Sequence, residues 1–308
     1  MAVASLLDLG ADKTRLEKAI ASIDFAEGPV ELIIQEKLNM GIRGVYFNTA
    51  EDHHEHEHKH QHENGHKHAH AHDHSHAHDH EHAHAHAHGH DHSHDHDHDH
   101  DHEHAHAHDH SHDHNHDHGH SHSHEHHQHA PHRGMKEIRQ LIEKADLTEN
   151  ARNIALKCFE ALARAEATIH GKEIDEVHFH EVGARDSIVD MIGTAVCLDD
   201  LGIDKVVISP VHLGSGMVKC AHGVIPVPAP ATALLLKGFS VVMDVDVPHE
   251  LTTPTGAAIL KGLDAHLIDA QEFAYEAVGH GLGSKNIGRP NFLRAFLKKS
   301  SGQKKKLI

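Results

Sequence analysis

Apolar residues recur along this chain at helical and strand spacings, and one long stretch follows neither. Residues 6–23 carry apolar positions at helix spacing, interrupted by a turn at Gly10 and restarted after Asp12. Residues 30–34 alternate, Gly41 marks a turn and Val45-Tyr46-Phe47 follows, which predicts two strands around that turn. The pattern stops near residue 51 and resumes after Pro131. Ile138, Leu141, Ile142 and Ala145 then form one helix stripe, and Ala151, Ile154, Cys158, Ala161 and Ala165 a second. Cys158 lies on that stripe and is expected in the core rather than on a ligand.

Beyond it the spacing predicts a short strand at 177–182, an unusually apolar helix at 186–201 and a strand at 206–209 ending at Pro210. A loop rich in Gly and Pro follows at 214–230, then a helix at 231–237, a strand at Val241-Val242 and a helix at 254–267. Gly279-His280-Gly281-Leu282-Gly283 reads as a Gly-rich turn, and residues 292–297 as a closing strand. Strands alternating with helices predict an α/β or α+β domain built on one mixed sheet. Residues 1–50 supply its N-terminal part and 134–297 its main part. Residues 298–308, with Lys304-Lys305-Lys306, read as an unfolded basic tail.

The interruption at 51–133 is histidine at nearly every second position, with Asp, Glu, Ala, Ser or Gly between. Forty of the 48 histidines lie between residues 52 and 132. Such a segment has almost nothing to build a core with, so it is expected to be disordered without metal. Imidazole is the commonest protein ligand for borderline transition metals, and about four ligands serve each ion in zinc-type sites. The composition does not choose among copper, nickel and zinc. It is also compatible with a solubilising low-complexity insertion whose metal affinity is incidental.

The formal net charge of −19 is unevenly placed. Residues 51–132 hold 18 acidic residues against Lys59 and Lys67, a net of −16, which leaves −3 for everything else. The remaining sequence therefore offers no basic face for nucleic acid. Cys158, Cys197 and Cys220 are odd in number and form no CxxC pair, which fits a reducing cytoplasm better than a disulfide framework. Residues 1–9 lack a basic start and are broken by Asp8, unlike a secretory leader. No run approaches the length of a membrane-spanning helix.

Three groups of residues could carry chemistry. In His178-Phe179-His180-Glu181-Val182-Gly183-Ala184-Arg185-Asp186-Ser187-Ile188-Val189-Asp190, strand spacing puts His178 and His180 on one face. Helix spacing puts Asp186 and Asp190 one turn apart. Two imidazoles facing two carboxylates suit a divalent metal, or a metal and a general base. Spacing serves equally well a reading with Asp186 as a helix cap, Asp190 against the helix dipole and two half-buried strand histidines. In Val218-Lys219-Cys220-Ala221-His222-Gly223, Cys220 and His222 could share a soft or borderline metal and Lys219 could meet a phosphate. An ordinary turn with a small core cysteine is the plainer account. In Leu251-Thr252-Thr253-Pro254-Thr255-Gly256, Thr253 and Thr255 at a helix start could hold an anion such as a phosphate, or Thr253 could cap a helix with proline at its first position.

Together, HFHEVGARDSIVDMIG, GSGMVKCAHGVIPVPAPAT, ELTTPTGAA and GRPNFLR resemble the nickel-insertion proteins of nickel-pincer-nucleotide synthesis, the LarC family. A His-rich insertion between the N-terminal and central parts is a trait of that family, and the match covers essentially the whole chain outside the insertion. The resemblance implies insertion of nickel into pyridinium-3,5-bisthiocarboxylic acid mononucleotide, forming one carbon–nickel and two sulfur–nickel bonds. It implies consumption of CTP with Mg or Mn, and a product that serves lactate racemase and related enzymes. It also raises His178, His180, Asp186, Asp190, Cys220 and His222, with the tract at His53 to His132, as metal ligands, and Lys219, Thr253 and Thr255 as phosphate contacts. Family members usually open with a strand and a Gly-containing turn and carry a C-terminal CTP-binding domain. Neither is read here, so a separate CTP-binding domain or chain is an expected partner, and self-association is left open. The alternatives are a storage or delivery protein for nickel or zinc without catalysis, and a zinc-dependent hydrolase built on the His178/His180 and Asp186/Asp190 group.

Overall fold

Two short helices, α1 (Ala2–Asp8) and α2 (Lys13–Ala21), open the chain. Asp12 starts α2 by accepting hydrogen bonds from the backbone N–H groups of Thr14 and Arg15, as the fresh start after Gly10 predicts. The hairpin of β1 (Leu32–Asn39) and β2 (Ile42–Thr49) follows. Its turn at Met40-Gly41 takes positive φ at both residues. The computed structural model describes residues 1–50, 133–179, 182–268, 273–299 and 305–307. The His-rich insertion, with its expected disorder, lies outside the described residues.

Past it come β3 (Arg133–Gly134), α3 (Met135–Lys144) and α4 (Glu149–His170). Thr148 caps α4 through Ala151 N–H, and Gly171 ends it with φ +60°. A 3-10 turn at Ile174–Glu176 leads into β4 (His178–Phe179), α5 (Arg185–Asp200), β5 (Ile203–Ile208) and β6 (Val211–His212). Then come β7 (Met217–Cys220), β8 (Gly223–Pro226), α6 (Pro230–Leu235), β9 (Val241–Val242), α7 (Pro254–Gly262) and β10 (His266–Leu267). The chain closes with β11 (Ala277–Leu282), β12 (Phe292–Lys299) and β13 (Lys305–Leu307).

Seven strands form one sheet in the order β1-β2-β11-β12-β13-β5-β10. The β2–β11, β13–β5 and β5–β10 pairs are parallel and the rest antiparallel, so the fold is α+β on a mixed sheet. Helix α1 lies on β11, β2 and β12, and α5 lies on α1. Ten of the sixteen residues of α5 are buried, all between Ile188 and Leu198, as its unusually apolar middle predicts. Helix α4 packs on α5, α6 and α7. Cys158 is 1 % exposed within that packing, and a Cβ on Gly262 of α7 would stand 2.5 Å from its Cα. Cys158 is thus a core residue, and burial pushes its thiol up to about 12, as it does that of Cys197.

Several boundaries differ from those the spacing predicts. Of the strand expected at 177–182, His178 and Phe179 pair with β3, and residues 180–181 lie outside the described residues. The 214–230 loop contains the β7–β8 hairpin, whose apolar residues sit side by side, as in Met217-Val218 and Val224-Ile225, and so do not alternate. The 254–267 helix stops at Gly262 because Asp264 takes φ +49°, which frees residues 266–267 to pair with β5. The glycines at 279 and 281 belong to a strand, not a turn. A Cβ at Gly279 would stand 2.2 Å from Ser5 O, and one at Gly281 2.1 Å from Met1 O, so bare backbone is what lets α1 lie against β11. Residues 298–299 extend β12 and 305–307 form β13, where the sequence predicts an unfolded tail. Neighbouring strands on both sides of β13 supply the backbone partners its lysines could not advertise.

Candidate functional site

A cavity of about 410 Å³ opens where α1, β2, α5, α7 and the loop between β11 and β12 meet. Apolar walls come from Phe47, Ile259, Leu260, Leu282 and Leu293. Polar groups reach it from Asp190 on α5, Glu250, Thr252, Thr253 and Thr255 before and in α7, and Lys285 and Asn291 on the loop. The local causes are clear for α7. Thr253 Oγ1 accepts from Gly256 N–H at 3.3 Å and Pro254 occupies the first helical position, so the capping reading of this motif holds. Thr255 Oγ1 lies 3.4 Å from Ser187 Oγ, which joins the start of α7 to the first turn of α5. Asn291 donates to Lys285 O at 3.0 Å and Gly283 N–H to Asn291 O at 2.9 Å, which shapes the loop carrying Lys285.

Three of the residues named from sequence therefore share one cavity: Asp190, Thr253 and Thr255. The others lie elsewhere. His178 is exposed on β4, and Asp186 sits in the first turn of α5 without lining the cavity. Lys219, Cys220 and His222 belong to the β7–β8 hairpin, where the His222 ring meets that of His170 at the end of α4, 5.1 Å between centroids. His170 in turn lies 3.4 Å from Glu166. His180 lies outside the described residues. Among the described residues, no three His, Cys, Asp or Glu side chains gather as a metal-binding group. Glu250, Lys285 and Asn291 were not named as site residues from sequence. Glu250 and Asn291 fall inside ELTTPTGAA and GRPNFLR, which could have pointed to them, whereas a Lys in a Ser-Lys-Asn turn carries no periodic or motif signal.

Next to this wall, Asp244 is 9 % exposed and receives Arg289 Nη2 at 3.0 Å, with both its oxygens within 3.0 Å of His212 Nδ1. Burial works against its ionisation, but the hydrogen bonds and charges of Arg289 and His212 outweigh burial and hold the carboxyl below its ordinary value.

Gly183 and Arg185, just before and at the start of α5, are anchored to residues distant in sequence. Arg133 is nearly buried, donates to Gly183 O at 2.8 Å, and pairs through Nη2 with both oxygens of Glu27. Its guanidinium also stands over Phe25, and Arg185 Nη1 donates to Gly28 O at 3.1 Å. Replacing Glu27 with alanine leaves that guanidinium without its counter-charge. Since Glu27 keeps 26 % of its side-chain surface, the expected loss is at the low end for a buried pair, about 3 kcal/mol. Urea unfolding measures it directly.

A concave, mainly apolar space with a few convergent polar groups has the form of a small-molecule site within an α+β fold. The chain belongs to the nickel insertion protein family, whose model matches residues 1–308. It is 47 % identical over 165 residues to the pyridinium-3,5-bisthiocarboxylic acid mononucleotide nickel insertion protein of Clostridium kluyveri, covering 54 % of this chain and 41 % of that one. Proteins of the same name from Staphylococcus saprophyticus and Akkermansia muciniphila are 45 % and 48 % identical, over 54 % of this chain and 42 % and 41 % of theirs. The chain thus spans about two fifths of the curated relatives it matches. No solved structure matches it.

Proposed function

We propose that this chain takes part in inserting nickel into pyridinium-3,5-bisthiocarboxylic acid mononucleotide, with the 410 Å³ cavity holding the mononucleotide. The observation that carries the reading is the convergence of two carboxylates, Asp190 and Glu250, with Lys285 and the threonine-bearing start of α7 on one space. Lys285 and the Thr255 N–H are suited to the phosphate, since Pro254 has no N–H and those of Gly256 and Ala257 are taken by Thr253. Phe47, Leu282 and Leu293 offer apolar surface to a pyridinium ring. Forming the carbon–nickel bond releases a proton from the ring carbon, and Asp190 or Glu250 is the acceptor. His178, His180, Asp186, Cys220 and His222 keep their assignment as transient nickel ligands, with Lys219 as an accessory phosphate contact. The histidine tract serves as the nickel reservoir. CTP with Mg or Mn acts through a domain or chain to which none of these residues is assigned, and the setting is the cytoplasm.

The storage reading rests on the tract alone and gives the cavity nothing to do. A reconstituted maturation assay separates the two. Changing Lys285 to alanine should raise the KM for the mononucleotide about tenfold, the equivalent of one lost charged contact of about 1.4 kcal/mol, with thermal unfolding unchanged. Normal kinetics in that variant would remove the mononucleotide from this cavity, and a chain that stores nickel yet never supports maturation would leave the storage reading standing.

A further inference from the structure

His212 is not among the residues named above as nickel ligands, yet its imidazole is held as ligating imidazoles are. Its Nδ1 lies 3.0 and 2.9 Å from the two oxygens of Asp244. When the ring is neutral, donation from Nδ1 to the Asp244 carboxylate leaves Nε2 as the nitrogen with a lone pair. The side chain is 56 % exposed, and Nε2 has no hydrogen-bond partner among the described residues. A histidine whose second nitrogen donates to a carboxylate, fixing tautomer and ring orientation, is the outer-shell pattern of metal sites. Asp244 is itself fixed, by Arg289 at 3.0 Å.

The placement links this group to the cavity from two sides. His212 O accepts from Thr252 Oγ1 at 2.6 Å, Leu251 N–H donates to Leu213 O at 3.0 Å, and Gly214 bridges to Glu250. Glu250, Leu251 and Thr252 are cavity wall. Arg289 comes from the loop whose Lys285, Ile287 and Asn291 form another part of that wall. The backbone of His212 is thus tied directly to the chain that carries Glu250 and Thr252 into the cavity wall.

We propose that His212 is an entry ligand for nickel at the margin of the cavity, with Asp244 fixing its tautomer and Arg289 holding Asp244 in place. The inference rests on the nickel-insertion reading but is tested without the insertion reaction. Full-length protein is treated with diethyl pyrocarbonate, with and without nickel chloride in excess of the tract's capacity, and acylation of the His212 peptide is followed by mass spectrometry. Nickel should slow acylation of His212 about tenfold, whereas magnesium, which prefers oxygen ligands, should not. In Asp244→Asn the nickel concentration giving half-protection should rise about 10–100-fold, the usual effect of removing an outer-shell partner. If that variant fails to fold, Arg289→Gln, which leaves the carboxylate in place but loosens it, should raise the same concentration several-fold. Equal acylation of His212 with and without nickel overturns the proposal. So does half-protection at the same nickel concentration in wild type and the Asp244 or Arg289 variant, which would mark His212 as an ordinary exposed imidazole. Failure of maturation with protection intact counts against the insertion reading and leaves this one in place.

Discussion

Deleting residues 53–129 is expected to remove nearly all of the nickel the protein binds at pH 7.5 while leaving a cooperatively folding domain. The tract holds forty histidines, which at about four ligands per ion corresponds to roughly ten ions. Among the described residues the buried core runs from Val3 to Ala295, and the tract's composition offers almost nothing to add to it. The same chemistry sets a pH window for the intact protein. Imidazole ligates only when neutral, so protons displace metal as pH falls through about 6.5, and most of the nickel should be gone at pH 5. Full protonation of the forty imidazoles would move the tract's net charge from −16 to +24, which further repels cations. Equilibrium dialysis at the two pH values, on both proteins, gives the stoichiometries. Full retention at pH 5 would assign the metal to carboxylates or thiolates instead. In maturation assays the deletion should matter only when nickel is limiting, because a reservoir changes supply and not chemistry.

Replacing Gly281 by alanine should be among the most damaging single substitutions, and should harm stability and activity together. The added Cβ would stand 2.1 Å from Met1 O and 2.6 Å from Ser5 N, both backbone atoms of α1, so the helix must move off β11. Overpacking of this kind costs about 1–3 kcal/mol or more, which for a domain of this size lowers Tm by about 2–4 °C per kcal/mol. Other ties would be strained with it, since His280 N–H donates to Asp8 Oδ2 at 2.8 Å. Met1 and Ala2 are cavity wall, so shifting α1 also opens the site. Gly256→Ala is the control. Its nearest neighbours would be 3.8 Å away and its φ is ordinary, so stability should hold or rise slightly. Calorimetry on the two variants compares them, and an unchanged Tm in Gly281→Ala would mean that α1 does not rest on β11.

Much of this protein is determined locally and could therefore be read from its residues. The fresh start of α2 after Asp12, the turn at Gly41 and the largely apolar α5 each announce themselves through short-range chemistry: caps, φ preference and periodicity. The family motifs were equally legible, as were the tract's charge and ligand density. Tertiary structure decided what depends on neighbours distant in sequence. Gly279 and Gly281 look like a turn until α1 is seen to need the space, and β13 is a strand only because β12 and β5 lie on either side of it. Asp190, Glu250, Thr255 and Lys285 share a cavity, while His178, Cys220 and His222, the more conspicuous residues in the sequence, lie outside its lining. Backbone preference acts over a few residues and is written in them. Side-chain convergence across five elements depends on the packing of α1, α5 and α7 against the sheet, which no spacing along the chain encodes.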